Sequence, residues 1–144
     1  MTLRNEKGAA MVEFAVIAPL LFIILFGIIE FSILMYDKAM LTNASREGAR
    51  VGIVYSTPTR ISNSQIETAV RDYCEDHLIS FAASSVVTVN ITPDNVADRN
   101  SGDSLTVTVN YPFRFLAFSN LLSLIGGNMS NVFNLQAITV MRME

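Results

Sequence analysis

The chain has 144 residues, of which 51% are hydrophobic and 16% are charged, and its formal net charge is −3. Soluble domains usually carry about 25% charged residues, so this composition indicates a membrane segment. An acidic chain offers no basic surface for the phosphate backbone of nucleic acids, and nucleic acid is set aside as a partner.

The first predicted element is a membrane-spanning helix from Phe14 to Met35, with Glu30 as its single charge. At ~1.5 Å per residue it is about 33 Å long, enough to cross a hydrocarbon core of roughly 30 Å. Its large apolar side chains favour insertion by about 4.5 to 9 kcal/mol, against a cost of about 2.5 to 3.5 kcal/mol for one charge at the centre. Pro19 lies one turn into the span, where its missing N–H costs least if the helix begins near Phe14, although a gentle kink is the alternative.

The flanking charges predict the orientation of the span. Arg4 and Lys7 lie in a short segment ahead of it, which the positive-inside rule keeps in the cytoplasm. Arg46 and Arg50 argue the other way, but they lie well beyond the span. We therefore expect a cytoplasmic N-terminus and an exported remainder.

Residues 36–56 are predicted to continue the same helix outside the membrane. Ala44, Gly48 and Gly52 form a row of small residues at helical spacing, which allows another backbone to approach closely. Two partners for this row are open, the helix of another chain and the chain's own domain, and the second is favoured. The helix should end before Thr57 and Pro58, because a residue that precedes proline disfavours the α conformation.

The exported domain is predicted to contain a second helix and three strands. Ser64 and Glu67 have the spacing of a capping box, and the helix should end near Ala82. Residues 86–92 and 104–111 alternate as strands and are joined by a loop rich in turn formers, which predicts a hairpin. Residues 132–143 form a third strand, with a bulge where the alternation shifts near Ala137 and Ile138.

The fold class that these elements predict is α+β, with a long N-terminal helix packed on a small three-stranded antiparallel sheet. The segment from Pro112 to Gly127 is strongly apolar but too short to span a membrane. It caps the sheet, rests on the membrane surface or meets a partner, with the first favoured.

Glu30 is the chemically unusual residue of the span. It lies about 8 Å from the midpoint, where a carboxyl group is either protonated or paired within a protein bundle. One interpretation gives it a contact with another subunit or an assembly platform. The other is a neutral acid bonded to a backbone carbonyl.

The sequence contains no arrangement typical of an enzyme. The motifs HExxH and GxSxG and the P-loop are absent. Cys74 and His77 are three residues apart on one predicted helix, but no second pair completes a zinc site, and a core pair is favoured over a catalytic one. We expect no catalytic activity, no metal and no cofactor.

Several features in order resemble bacterial type IV pilins and pseudopilins. They are the run GAAMVEFAVIAPLLFIILFGIIEF, which contains Gly8, Glu13, Pro19 and Glu30, then NASREGAR at residues 43–50 and a closing strand that ends in Met141, Arg142 and Glu144. Within that group, the chain is most similar to the TadE family of pseudopilins from tight-adherence (Flp pilus) systems.

The resemblance implies that a prepilin peptidase cleaves between Gly8 and Ala9, with Glu13 and Phe14 serving processing and assembly. Cleavage creates an amine at Ala9, which also allows methylation of that terminus. Glu13 lies about one helical turn from this amine, and pairing it with the amine of a neighbouring subunit removes the cost of two unpaired charges. The alternative is a carboxylate that rests among lipid headgroups.

The resemblance implies a leader at 1–8, a transmembrane part at 9–35, an exported helix at 36–56 and an exported α+β domain at 57–144. It implies a minor pseudopilin that assembles or initiates an Flp-type pilus from the bacterial inner membrane. Its partners would be the peptidase, TadE- and TadF-like pseudopilins, the Flp pilin, the assembly platform and lipid. The alternatives are an uncleaved anchor for a periplasmic binding domain, a secreted domain after a signal peptide, and a major pilus subunit.

Overall fold

The computed structural model describes residues 3–55, 60–80, 86–124, 126–128 and 130–144, with side chains from residue 8 onward. In chain order, the elements are α1 (Leu3–Ile53), α2 (Asn63–His77), β1 (Thr88–Thr92), a 3₁₀ turn (Val96–Asp98), β2 (Ser104–Arg114), α3 (Phe118–Leu124) and β3 (Val132–Arg142). The three strands form one antiparallel sheet in the order β1-β2-β3. The predicted α+β class is confirmed.

Helix α1 is a single element of 51 residues and includes Pro19 in its interior. It begins well before Phe14, so the helix start near Phe14, at which the missing N–H of Pro19 would cost least, is wrong. Proline cannot donate to the carbonyl of Ala15, one turn earlier, and that bond of the helix is missing. The helix ends at Ile53, ahead of Thr57 and Pro58 as predicted, although these two residues lie outside the described part of the chain.

The N-terminal half of α1 exposes a long apolar surface. In the described residues, one helix, within Gly8–Ile53, is long and apolar enough to cross a membrane. Only 6% of its most apolar 18-residue window is buried, so contacts within the chain do not cover this surface as they would cover a core helix. This pattern suggests a single-pass membrane anchor.

The C-terminal half of α1 buries one face against the domain. From Glu30 onward, buried residues recur every three or four positions, which is the spacing of one side of an α-helix. This stripe consists of Glu30, Leu34, Asp37, Leu41, Ala44, Ser45, Gly48, Ala49 and Gly52.

Helix α2 begins two residues earlier than predicted. Its N-cap is Ser62, whose Oγ accepts from the N–H of Gln65 while the Gln65 side chain accepts from the N–H of Ser62. The Ser64 and Glu67 pair has the same spacing, but it is not the cap. The predicted end near Ala82 is also wrong, because α2 ends at His77; Ala82 itself lies outside the described residues.

The hairpin of β1 and β2 is confirmed, and β3 pairs along the whole of β2. The register of β2 and β3 runs from Ser104 opposite Arg142 to Arg114 opposite Val132 without interruption. The bulge predicted in β3 is therefore wrong.

A polar contact explains the apparent shift in β3. Ala137 and Thr139 both point toward α1, and the Thr139 hydroxyl lies 2.7 Å from the Ser45 hydroxyl. Ile138 and Val140 take the outward positions and are exposed. Side chains of β3 therefore alternate regularly between the two faces of the sheet. The shift in the sequence arises because a polar residue, Thr139, points inward while apolar Ile138 and Val140 point outward.

The core lies between the inner face of the sheet and the two long helices. The inward side chains of β2 pack on α1 and α2, together with buried residues of the other elements. The strand contributes Leu105, Val107, Val109, Tyr111 and Phe113, and α2 contributes Ile66, Val70 and Cys74.

Candidate functional site

The residues of the predicted cleavage site are accessible at the N-terminal end of α1. Gly8, Ala9, Glu13 and Phe14 are all exposed, and nothing lies within 4 Å of a side chain built at Gly8. Among the described residues, the Glu13 carboxylate has no hydrogen bond or ion pair. Both the peptide bond and the carboxylate are open to another molecule.

Glu30 is only 3% exposed, and its partner belongs to the same chain. Its carboxyl oxygens accept from three consecutive backbone N–H groups, at 3.2 Å from Leu116, 2.6 Å from Ala117 and 3.0 Å from Phe118. Leu116 and Ala117 lead into α3 and Phe118 is its first residue, and the N–H groups at the start of a helix lack partners within it. Both sequence interpretations named other partners, a second protein or a backbone carbonyl.

A close packing contact holds α3 against α1 beside Glu30. A Cβ atom at Gly27 would lie 3.0 Å from the Phe118 ring, so this glycine lets α3 approach the helix backbone. Glycine and carboxylate are about one turn apart on α1. The segment that was expected to cap the sheet packs on α1 instead.

The start of α3 is also bonded to Asn131, the residue that precedes β3. Beyond β2, the N–H of Phe115 donates to the carbonyl of Asn131 at 3.1 Å, and the Ser119 hydroxyl donates to the Asn131 side chain at 3.0 Å. The rings of Phe113, Phe115 and Phe118 contact one another in sequence. A continuous row of rings therefore leads from the sheet core to α1.

Asp37 is a buried carboxyl that the sequence interpretation missed. It is fully buried, one oxygen accepts from the N–H of Ile79 at 3.0 Å, and the other has no partner in the described part of the chain. Burial raises the pKa of Asp37, and the hydrogen bond from Ile79 partly opposes this rise. The sequence could have indicated that Asp37 is buried, because Asp37 lies on the same helix face as Glu30, Leu34 and Leu41.

This carboxyl predicts that stability falls as the pH rises. Since the folded pKa of Asp37 lies above the unfolded one, the folded chain keeps a proton that the unfolded chain has released. The stability that protonated Asp37 contributes to the fold is fully present below the pKa of the unfolded chain. It is lost as the pH rises through the pKa of Asp37 in the folded chain. Urea unfolding in detergent, followed by circular dichroism at several pH values, should show this decline in the wild type and a weaker one in Asp37→Asn.

The matched control for this prediction is Asp76→Asn, which changes an exposed aspartate on α2. It should keep the pH dependence of the wild type. If stability falls equally steeply with pH in Asp37→Asn and in the wild type, Asp37 is not the group that causes the pH dependence.

The small residues Ala44, Gly48 and Gly52 lie under the chain's own domain. Ala44 is fully buried, and Cβ atoms at Gly48 and Gly52 would each lie 2.4 Å from a side chain, Val70 of α2 and Leu105 of β2 respectively. This is the alternative that the sequence favoured. The row is already occupied and leaves no room for a second helix.

Cys74 and His77 do not form a joint site. Cys74 is buried, which raises the pKa of its thiol to about 11 despite the opposing charge of Arg71, so the thiol is neutral and a poor nucleophile. His77 is exposed and stacks on Tyr73. Nowhere in the described ranges do three or more His, Cys, Asp or Glu residues lie close enough to hold a metal ion.

Comparison with known proteins places the similarity on α1. Neither the search of curated proteins nor that of solved structures finds a match. The family model described as TadE-like protein matches residues 8–50, the stretch that contains Gly8, Glu13, Glu30 and the NASREGAR segment. The predicted resemblance is confirmed over this stretch: the chain is similar to the TadE-like family, a structural family associated with Tad/Flp pilus systems, through the helix that carries the apolar surface with Glu13 and Glu30.

Proposed function

We propose that this protein is a minor pseudopilin that a prepilin peptidase cleaves between Gly8 and Ala9. It acts in the assembly or initiation of a tight-adherence, Flp-type pilus. The match to the TadE-like family supports the pilus system, and the exposed Gly8 and Ala9 are consistent with access by a peptidase. The proposed location is the bacterial inner membrane, with the N-terminus in the cytoplasm and the domain outside.

The observation that carries this proposal is the different state of Glu13 and Glu30, the two carboxylates in the apolar run of α1. Glu30 is buried and accepts three hydrogen bonds from its own chain, whereas Glu13 is exposed and has no partner in the described residues. Between Gly8 and Phe31, Glu13 is thus the carboxylate that remains available to another subunit.

An unpaired charge on an apolar rod requires a partner once the rods of several subunits pack together. A carboxylate removed from water without a partner costs several kcal/mol. Cleavage after Gly8 would create an amine at Ala9, about one helical turn from Glu13. Pairing between the amine of one subunit and Glu13 of the next would satisfy both charges and set the axial stagger of neighbouring helices.

The exported domain fits a minor subunit rather than a filament's repeating rod. It covers one face of α1 from Glu30 to Gly52, so the widest apolar surface of α1 left for packing against other subunits is the half from Met11 to Ile29. Proposed partners along this half are Flp pilin and TadE- or TadF-like pseudopilins, with the assembly platform and lipid around them.

We test the proposal by the N-terminal residue of the protein and by the number of pili. In cells that possess the peptidase, the purified protein should begin at Ala9 by mass spectrometry, and at Met1 when the peptidase is deleted. Glu13→Gln keeps the size of the side chain but removes its charge, and it should reduce pili counted by electron microscopy about tenfold or more, because an unpaired amine at Ala9 disfavours packing of the subunits.

The control is Glu75→Gln, which changes an exposed carboxylate on α2, outside the stretch that matches the family, and should leave pilus number unchanged. A protein that retains its first eight residues in cells with the peptidase would refute processing and favour the uncleaved anchor. Wild-type pilus numbers in Glu13→Gln would refute the charge pairing.

A further inference from the structure

The depth of α3 in the membrane follows from its attachment to Glu30. The apolar run of α1 extends from Ala9 to Met35, and a span of about 20 residues taken from it ends between residues 29 and 35. Glu30 is then at the outer hydrocarbon boundary or at most about 8 Å inside it. Because Leu116, Ala117 and Phe118 bond to Glu30, the start of α3 lies at the same depth.

The side chains around this attachment are apolar and exposed. Leu116 and Leu124 are 59% and 73% exposed. Leu116 is held next to α1 by the bond of its N–H to Glu30, and Ile28 and Phe31 on the neighbouring turns of α1 are also exposed, so several exposed apolar side chains lie near this attachment. Such a surface is typical of a contact with membrane or protein.

The backbone of the segment is also prepared for a medium without water. Irregular backbone at membrane depth is tolerated only where the protein satisfies its polar groups. Glu30 accepts from the first three N–H groups, and the N–H of Phe115 bonds to Asn131. In water these N–H groups would need no buried carboxylate.

One charge flanks the segment. Arg114 is exposed at the end of β2 and is the single charged residue between Pro112 and Asn128. An arginine at this level can place its stem along the apolar surface and its guanidinium among lipid phosphates.

We propose that the segment from Leu116 to Leu124 is a lipid-binding surface that inserts into the outer part of the membrane beside α1. Glu30 positions it by accepting its backbone N–H groups. The domain is thereby held at a set height and rotation on the membrane through two contacts, α1 and the segment, instead of α1 alone. This inference rests on α1 crossing a membrane and is independent of processing or pilus assembly.

The natural chain contains no tryptophan, so a single introduced indole reports on its own position. Leu116→Trp and Leu124→Trp probe the proposed surface. Ile17→Trp, on the exposed part of the span, is the control for lipid contact. Val140→Trp, equally exposed on the outer face of β3, is the control for water and lies about 27 Å along the strand from its α3 end.

The full chain is reconstituted into phosphatidylcholine vesicles with and without bromine on the acyl chains. We expect bromolipid to quench the fluorescence of Leu116→Trp and Leu124→Trp at least threefold more than that of Val140→Trp, and aqueous acrylamide to quench them less. Ile17→Trp should show the strongest lipid quenching.

Quenching of both segment variants at the level of Val140→Trp would overturn the proposal, and so would a failure of bromolipid to quench Ile17→Trp. A second copy of the chain is the rival occupant. Lipid quenching that falls as the protein-to-lipid ratio rises would assign the surface to that copy and overturn the lipid contact, whereas a constant value supports it.

Discussion

Glu30→Leu is expected to lower the free energy of unfolding by about 3 kcal/mol or more, because each buried N–H group left without an acceptor costs about 1 to 3 kcal/mol. The Glu30 carboxyl accepts from Leu116, Ala117 and Phe118, and leucine fills a similar volume without accepting any bond. Urea unfolding in detergent measures the loss. Hydrogen exchange should locate it, with faster exchange at these three amides.

Glu30→Gln separates the hydrogen bonds from the shape of the side chain. Its one oxygen can still accept from Ala117 and Phe118, which share Oε1, but the amide nitrogen would face the N–H of Leu116. We expect a loss of about 1 to 3 kcal/mol, between wild type and Glu30→Leu.

Glu13→Leu is the matched control, since it removes an exposed carboxylate from the same helix and should change stability little. Equal stability of Glu30→Leu and the wild type, with unchanged exchange at the start of α3, would show that the Glu30 contacts do not hold the segment. The same outcome would remove the positioning role of Glu30 in membrane contact.

Gly48→Leu is expected to lower the free energy of unfolding by about 3 kcal/mol, at the upper end of the usual cost of overpacking. A Cβ atom at Gly48 would lie 2.4 Å from Cγ2 of Val70 and 3.5 Å from side-chain atoms of Ile66 and Val107. These neighbours are fully buried, and Val70 has little rotamer freedom in a helix. Thermal unfolding in detergent should show a lower midpoint.

Two further variants test whether this cost comes from the contact with α2. In the uncleaved chain, Gly8→Leu introduces the same side chain where nothing lies within 4 Å, and it should leave stability close to that of the uncleaved wild type. Combining Gly48→Ala with Val70→Ala should cost less than the sum of the two single changes, by about 1 kcal/mol or more, because each relieves the other. Strict additivity would mean that α1 and α2 do not meet at this point.

Together these variants separate two functions of one helix. The half of α1 that begins at Glu30 holds the domain through buried contacts, as Gly48 and Gly52 show. The half that contains Glu13 makes few contacts within the chain and exposes its apolar side chains. Changes in the first half are therefore expected to act on folding, and changes in the second half on assembly.

The sequence predicted well those elements whose signal is local. Alternation of apolar and polar residues located β1 and β2, and the long apolar run located the exposed part of α1. Local signals failed where two of them were equivalent. Ser62 with Gln65 and Ser64 with Glu67 have the same capping spacing, and the structure uses the first pair.

Other errors arose where a distant contact overrides the local pattern. The end of α2 was placed too late because the bond between the Ile79 N–H and Asp37, a residue of another helix, is not visible in the local sequence. The bulge in β3 was predicted because an inward-facing threonine interrupts the alternation of apolar and polar residues in the sequence. Thr139 points inward because Ser45 on α1 offers its hydroxyl a partner.

By itself, the sequence determined which surfaces are apolar, which charges lie among them and how they are spaced, since these depend only on composition and on the geometry of helix and strand. It placed Glu13 and Glu30 on one long apolar helix and found the row of Ala44, Gly48 and Gly52. Only the tertiary structure decided what covers each surface. Glu30 meets the start of α3 and the small residues meet α2 and β2, because contacts between residues far apart in the chain depend on how the whole fold closes.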